Sequence, residues 1–351
     1  MYQDDSSLTE RWFGFDFVKG LLIILVFVGH VIPGTLRETF PRYAIYSFHM
    51  PLFIGISGFL LNIEKIDVTF DKLFFKYWKR MGLPWVIAVA FYFVANIIIK
   101  KGASITLIGV LKSFCHPYYH LWYIMGFIAY LLISCFLYKL LKNTKHKWII
   151  LFFIVSIISA ISKWDLLGGK IDNTFLNLLY ETIQYDFRLY NLVFFCFGNY
   201  LRYKFEHNKI LLSVRMIECI RTLMILSVIC VTVLFFFNYS NLENIMYYIM
   251  NFSIILIIVY DCVNSYMPKS FVLEFIGRYS LPIYLYHVFC KCLSEYFFDI
   301  GSEAYYITCV FTFLFGCLLV YFLRNIPLID RVVFGSNRDY TDRHDCTSNF
   351  T

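Results

Sequence analysis

The sequence has little charge, no CxxC cysteine pair, no linker and no visible internal repeat, and each lack narrows what the protein can be. Only 16% of its residues are charged, against roughly 25% in an ordinary soluble domain. Hydrophobic residues make up 60% of the 351 and the mean hydropathy is +0.65, far more apolar material than a water-soluble fold of this length needs. The 11 cysteines lie mostly inside apolar runs (Cys135, Cys196, Cys230, Cys290, Cys309, Cys317), so they read as small buried hydrophobes and indicate neither a metal site nor a disulfide framework. No Pro/Gly/Ser-rich stretch divides the chain, so residues 1–335 are expected to form one integral-membrane domain, with 336–351 (SNRDYTDRHDCTSNFT) a polar tail.

Long apolar runs are what the chain has in abundance. About 18 helical residues cross about 30 Å of hydrocarbon, and about ten such runs are predicted, near 15–34, 43–61, 82–99, 119–138, 148–162, 189–201, 219–238, 244–263, 279–298 and 304–323. The first is not a cleaved signal peptide, because it carries Asp16 and Lys19 and runs into Pro33-Gly34 without a small-x-small cleavage pattern. Assigning alternate loops to opposite faces separates the basic residues. One face receives Lys65, Lys72, Lys76, Lys79 and Arg80, then Lys139, Lys142, Lys145 and Lys147, then Arg202, Lys204, Lys209 and Arg215, then Lys269, Arg278, Arg324, Arg331, Arg338 and Arg343. The other receives only Arg37, Arg42, Lys100, Lys101, Lys112, Lys163, Lys170 and Arg188. The fold expected is therefore all-α, a polytopic transmembrane bundle of the cell inner membrane with both termini cytoplasmic. The net charge of +7 follows from this asymmetry and points to anionic membrane lipid as its partner, not to nucleic acid. The largest polar pieces, 62–81 on the cytoplasmic side and 163–187 on the outer side, cannot house a catalytic domain, so any chemistry falls to the helices and these loops.

Ionisable groups inside spans are costly, which makes each a candidate for function, with bundle packing as the competing explanation. In the opening helix Asp16 and Lys19 are i,i+3 neighbours, and His30 lies eleven residues beyond Lys19. That is about 16–17 Å along the axis and close to three turns, so Lys19 and His30 share a face while Asp16 cannot orient His30. A cation at the cytoplasmic mouth suits a phosphate-bearing donor, and a neutral imidazole deeper in the bundle suits a general base. Gly29 leaves room for a ligand or a second helix. On the antiparallel second span His49 lies at a similar depth; Pro51 frees a carbonyl one turn back, and Ser57-Gly58 offers close packing. The fourth span opens with His116, His120 and Trp122, membrane-interface anchors or a stacking surface for a sugar ring. In the ninth, Ser280, Tyr284, His287 and Lys291 recur at helical spacing and form a polar stripe that must face protein or water.

At these places the sequence resembles the bacterial acyltransferase family 3, integral-membrane enzymes that decorate surface polysaccharides, and especially its fucose 4-O-acetylase-like branch. The matching elements are Lys19 with His30 as basic-x10-His, the run Phe48-His49-Met50-Pro51-Leu52-Phe53 with Ser57-Gly58-Phe59, Leu121-Trp122-Tyr123, and Gly277 with Ser280, Tyr284, Leu285 and His287. The resemblance implies acetyl-CoA or another acyl-CoA as co-substrate, with no bound cofactor or metal, and a polysaccharide or lipid-linked sugar as acceptor. It implies that His30 is essential and that Lys19 helps to hold the donor. The family's pair of arginines three apart in the second cytoplasmic loop is only partly met here, by Lys76, Lys79 and Arg80, and lysine is a less geometrically defined phosphate ligand than arginine. Arg188, ahead of Phe194-Phe195 and Gly198, resembles a feature of the branch.

The activity expected is an O-acyl, in particular O-acetyl, transfer to a sugar hydroxyl. His30 takes the hydroxyl proton as the oxygen attacks the thioester, and His49, Tyr284 and Ser280 are candidates, in falling order, to stabilise the oxyanion. Trp122, Arg188, Ser280, Tyr284 and His287 are the candidate acceptor or cavity residues. A transporter or flippase of lipid-linked saccharide also needs a polar cavity and many spans, but broken helices repeated in matching halves are not evident. A glycosyltransferase is expected to show a large outer loop or intramembrane carboxylate pairs, which Asp16 and Asp261 do not make.

Overall fold

The computed structural model of the protein describes residues 13–64, 66, 69–99, 106, 109–110, 113–114, 116–118, 120–164, 180, 187–208, 213–237 and 240–336, and among them every regular element is helical. The tail 337–351, most of the outer loop 163–187, and Lys65, Lys100, Lys101, Lys112, Lys170, Lys209, Arg338 and Arg343 lie outside the described residues. The chain divides into two compact units, one of Met1–Ile66, Tyr138–Lys163 and Tyr190–Ser280, the other of Asp67–Leu137, Trp164–Leu189 and Leu281–Thr351.

The first unit contains α1 (Phe13–Val31), α2 (Phe40–Leu60), α6 (Lys147–Lys163), α7 (Leu192–Asn208), α8 (Val214–Phe237), α9 (Ser240–Val263) and the short α10 (Phe271–Arg278). The second contains α3 (Phe70–Tyr77), a π-helical turn (Trp78–Gly82), α4 (Leu83–Ile99), most of α5 (Trp122–Leu140), nearly all of α11 (Ser280–Phe297), α12 (Glu303–Leu323) and α13 (Pro327–Val332). A helix stands at each place where the sequence predicts a span, and seven of them are long and apolar enough to cross a membrane. The others are α6 and α7, each 17 residues long, and α11, which carries Lys291 and Glu295.

Three boundaries correct the reading of the sequence. The stretch 62–81 is not a polar loop: from Phe70 it is helical and continues through the π turn into one apolar run to Ile98. Phe70, Leu73, Phe74 and Tyr77 repeat at i, i+3, i+4, i+7, an amphipathic pattern that buries Leu73 and leaves Lys72 and Lys76 exposed. The sixth segment does not end at 201 but reaches Asn208, its last turns amphipathic and outside a scan for uncharged residues. The outer connection expected at 239–243 is already helix from Ser240.

Two glycine crossings hold the first unit together. A Cβ on Gly20 of α1 would collide with the carbonyl oxygen of Leu273, and one on Gly277 of α10 with that of Asp16, so these helices touch backbone to backbone. Likewise α2 and α7 meet where Gly58 faces the Phe195 carbonyl and Gly198 faces that of Gly55. Asn199 caps this contact by donating to the Gly58 carbonyl at 2.6 Å. Pro51 sits inside α2, where it denies the Ser47 carbonyl its helical N–H. Asn251 of α9 supplies the missing donor, its Nδ2 lying 2.9 Å from that oxygen.

In the second unit Trp85 Nε1 donates to the Leu121 carbonyl at 3.0 Å, fixing α4 to the start of α5. The Tyr92 hydroxyl accepts from the Phe289 amide at 3.1 Å, and its ring stacks on Tyr118. Beyond α12, Arg324 Nε donates to the fully buried Asp330 at 2.5 Å. Gly335 then lies with φ +65° against the Arg80 carbonyl, a position where a Cβ has neither space nor a favourable backbone.

Candidate active site

In the first unit the predicted residues fall into two places. Lys19 pairs with the buried Asp16 at 2.8 Å, one turn apart near the start of α1. His30, near the other end of the same helix, is 7% exposed. Its Nδ1 lies 3.0 Å from the Tyr46 hydroxyl of α2, a hydrogen bond whose direction follows the imidazole tautomer. The His49 ring meets the same tyrosine edge-on, with centroids 4.9 Å apart. The two histidines are thus brought to one phenol. Gly29 explains how it fits: a Cβ there would stand 2.8 Å from Tyr46 Cε2, so the space beside His30 is filled by this ring. Arg42 covers Tyr46 with its guanidinium 5.5 Å from the centroid. His49 Nδ1 donates to the Ile45 carbonyl at 2.7 Å, because a carbonyl can only accept, and this fixes Nε2 as the acceptor nitrogen of the neutral ring.

In the second unit Arg188 has φ +48°, a left-handed backbone uncommon for a side-chain-bearing residue. The Tyr130 hydroxyl braces it, lying 2.6 Å from the Phe187 carbonyl and 2.9 Å from that of Arg188. This conformation lays the guanidinium over Trp122 at 4.3 Å, so these two predicted residues do meet. Tyr284 and His287 are buried and cluster with His120, whose ring is 5.5 Å from Tyr284 and 4.8 Å from His287. Three bonds of this trio run to backbone: the Tyr284 hydroxyl donates to the His120 carbonyl, His120 Nε2 donates to Leu285 O at 3.1 Å and His287 Nδ1 to Tyr284 O at 2.7 Å. Ser280, the first residue of α11, belongs to the first unit and is half-buried. Lys76 lies in the last turn of α3, and Lys79 and Arg80 lie in the π turn; all three are exposed.

Tyr46 is the residue of this arrangement that the sequence reading passed over. It lies three residues before His49, hence on the same helix face, which was the available signal. A second omission is an ion cluster on the first unit. Arg37 reaches both Glu243 oxygens, at 3.1 and 2.9 Å, and the Tyr43 hydroxyl donates to the same carboxylate at 2.8 Å.

The four imidazoles are buried on apolar helices, and comparison with known proteins gives the class of the chain. The model of the family described as an acyltransferase domain matches residues 12–322. The chain belongs to this family, acyltransferase family 3, and among its described residues carries seven helices long and apolar enough to cross a membrane. Among curated proteins it is similar to the nodulation protein NolL of Sinorhizobium fredii, 29% identical over 156 residues that make up 41% of each chain. It is similar to the nodulation protein NolL of Mesorhizobium japonicum at 29% over 138 residues, 36% of each chain. The aligned part thus spans about two fifths of the length of these relatives. No solved structure matches the chain.

Proposed function

We propose that the protein transfers an acyl group, acetyl foremost, from acyl-CoA to a hydroxyl of a cell-surface or exported sugar, with His30 as general base. The observation that carries this reading is the bond between His30 Nδ1 and the Tyr46 hydroxyl in a buried setting. If Nδ1 carries the proton and donates to the phenol oxygen, Nε2 of His30 has the lone pair that a general base needs. The acceptor oxygen attacks the thioester carbonyl as its proton passes to Nε2. The carbon–sulfur bond then breaks, and the proton leaves the imidazolium to coenzyme A thiolate. A thioester is already activated, so no covalent enzyme intermediate is required. His49, held beside the same phenol, is assigned to the oxyanion as the imidazolium, because with Nδ1–H given to the Ile45 carbonyl only a protonated Nε2 can donate.

Lys19, Lys76, Lys79 and Arg80 are assigned to donor phosphates from their cationic chemistry, and the Trp122–Arg188 stack to the acceptor sugar, since an aromatic face and a fixed guanidinium suit a ring bearing hydroxyls. The reading places the chain in the inner membrane with ten spans and cytoplasmic termini, on the lysine and arginine asymmetry. Cells expressing wild-type protein and cells lacking it are to be compared for ester-linked acyl groups on surface glycans. Loss of esters in the deletion strain is expected; unchanged esters with altered glycan export would instead indicate a transporter.

A further inference from the structure

The ion cluster of the first unit carries more positive charge than it can balance among the described residues. Arg37 follows α1, Glu243 lies in the first turn of α9, and Lys163 is the last residue of α6. Glu243 is 7% exposed and accepts from both Arg37 and Tyr43, so its oxygens are engaged. Lys163 senses both Glu243 and Arg37 electrostatically. Its ammonium, however, rests on aromatic faces, 4.2 Å from the Tyr247 centroid and 5.0 Å from that of Tyr190. Among the described residues no carboxylate lies within ion-pair distance of it. Two cations therefore stand against one carboxylate, and the surplus charge is half-buried, where water repays desolvation poorly. Ring faces attract a cation but cannot accept all the hydrogen bonds of an ammonium.

We infer that Lys163, Tyr190 and Tyr247, backed by Arg37, form a subsite for an anionic group on the acceptor saccharide, a carboxylate or a phosphate. The inference rests on the acyl-transfer reading above. Position supports it: Tyr43, bonded to Glu243 of this cluster, and Tyr46, bonded to His30, are three residues apart on one face of α2. The rise between them is about 4.5 Å. A saccharide with its reacting hydroxyl at His30 and extending along this face of α2 would run toward the Glu243 cluster that Lys163 senses. The ammonium would donate to the anion, and the tyrosine faces would pack on the sugar.

The test uses the full chain in phosphatidylcholine nanodiscs, with binding of methyl glucuronide, glucose 1-phosphate and neutral methyl glucoside read by ligand-observed NMR. One charged sugar should bind about tenfold more tightly than the neutral one, the worth of a charge-assisted hydrogen bond, and which one identifies the anion. Lys163→Gln should abolish the difference and Lys163→Arg should keep it. Lys163→Glu, checked for the wild-type elution profile, should disfavour the charged sugars. Equal binding of all three sugars, an unchanged preference in Lys163→Gln, or complete displacement by equimolar inorganic phosphate would overturn the subsite. Ester formation from acetyl-CoA is scored separately, with cell-derived glycan as acceptor. Charge preference without ester would overturn the transfer reading and leave the subsite standing; ester without charge preference would do the reverse.

Discussion

The molecule contains two clusters built from the same parts, two imidazoles around one tyrosine, and they are wired differently. In His30–Tyr46–His49 the phenol bonds an imidazole nitrogen. In His120–Tyr284–His287 it bonds a main-chain carbonyl, and both imidazoles likewise donate to carbonyls. A ring that donates to a carbonyl is held in one tautomer and ties helices together. A ring bonded to a hydroxyl can be held in either tautomer, because the hydroxyl donates or accepts. The four imidazoles are alike buried, while Tyr46 is half-buried and Tyr284 buried, and the partner's chemistry separates a candidate for proton transfer from a candidate for packing.

Replacing His30 is the sharpest way to break the comparison. His30→Gln should insert normally and lower acyl transfer by roughly 10²–10⁴-fold, the usual worth of a general base. In the wild type, activity should fall on acidification as the base becomes protonated. The measurement is ester formed per unit of membrane-inserted protein. Wild-type ester levels in a well-expressed variant would remove His30 from the mechanism and make His49 the next residue to test.

A smaller effect is expected at Tyr46, a positioning residue in this scheme. Tyr46→Phe keeps the ring against Gly29 and His49 and removes only the hydroxyl at His30 Nδ1. Losing one neutral hydrogen bond, worth about 0.5–1.5 kcal/mol, should slow turnover by about two- to tenfold. It should also move the acid limb of the pH–rate profile, which loss of packing alone would leave in place. An unchanged profile would show that the phenol does not govern the imidazole.

Much of this arrangement was legible in the sequence, and what was missed has physical causes. That His30 and His49 come to one place followed from helical rise and from antiparallel neighbours joined by a short connection, and Pro51 foretold a carbonyl in need of a donor. The donor, Asn251, lies 204 positions from Ser47, and no local pattern marks it. Arg37 and Glu243 are 206 apart and read separately as ordinary ends of helices. The helix at Phe70 was hidden because a scan for uncharged stretches cannot see amphipathic turns. Tyr46 was missed through attention to ionisable side chains, although its i,i+3 spacing to His49 was in view.

At Lys19 the effect should be smaller for the measured rate at saturating donor. Asp16 already engages its ammonium at 2.8 Å, so only part of its charge faces a second anion. Lys19→Ala should raise the apparent KM for acetyl-CoA about threefold to tenfold, the scale of one exposed charge contact, with kcat little changed; Lys19→Arg should recover part of it. If KM does not move, donor phosphates are held elsewhere, and Lys76, Lys79 and Arg80 become the residues to replace.

The smallest effect on catalysis is expected at Tyr284, where the comparison predicts a structural role. The hydroxyl has one proton and gives it to the His120 carbonyl, which competes with the oxyanion role that its sequence position suggested. Tyr284→Phe keeps the ring among His120, Tyr123 and His287 and leaves that buried carbonyl without this donor. A buried acceptor deprived of a partner costs about 1–3 kcal/mol, so the melting temperature in detergent should fall while turnover of the folded fraction changes less than about twofold, within about 0.4 kcal/mol in the barrier. The converse, a stable protein with turnover reduced a hundredfold, about 2.7 kcal/mol, would place this phenol at the reacting atoms.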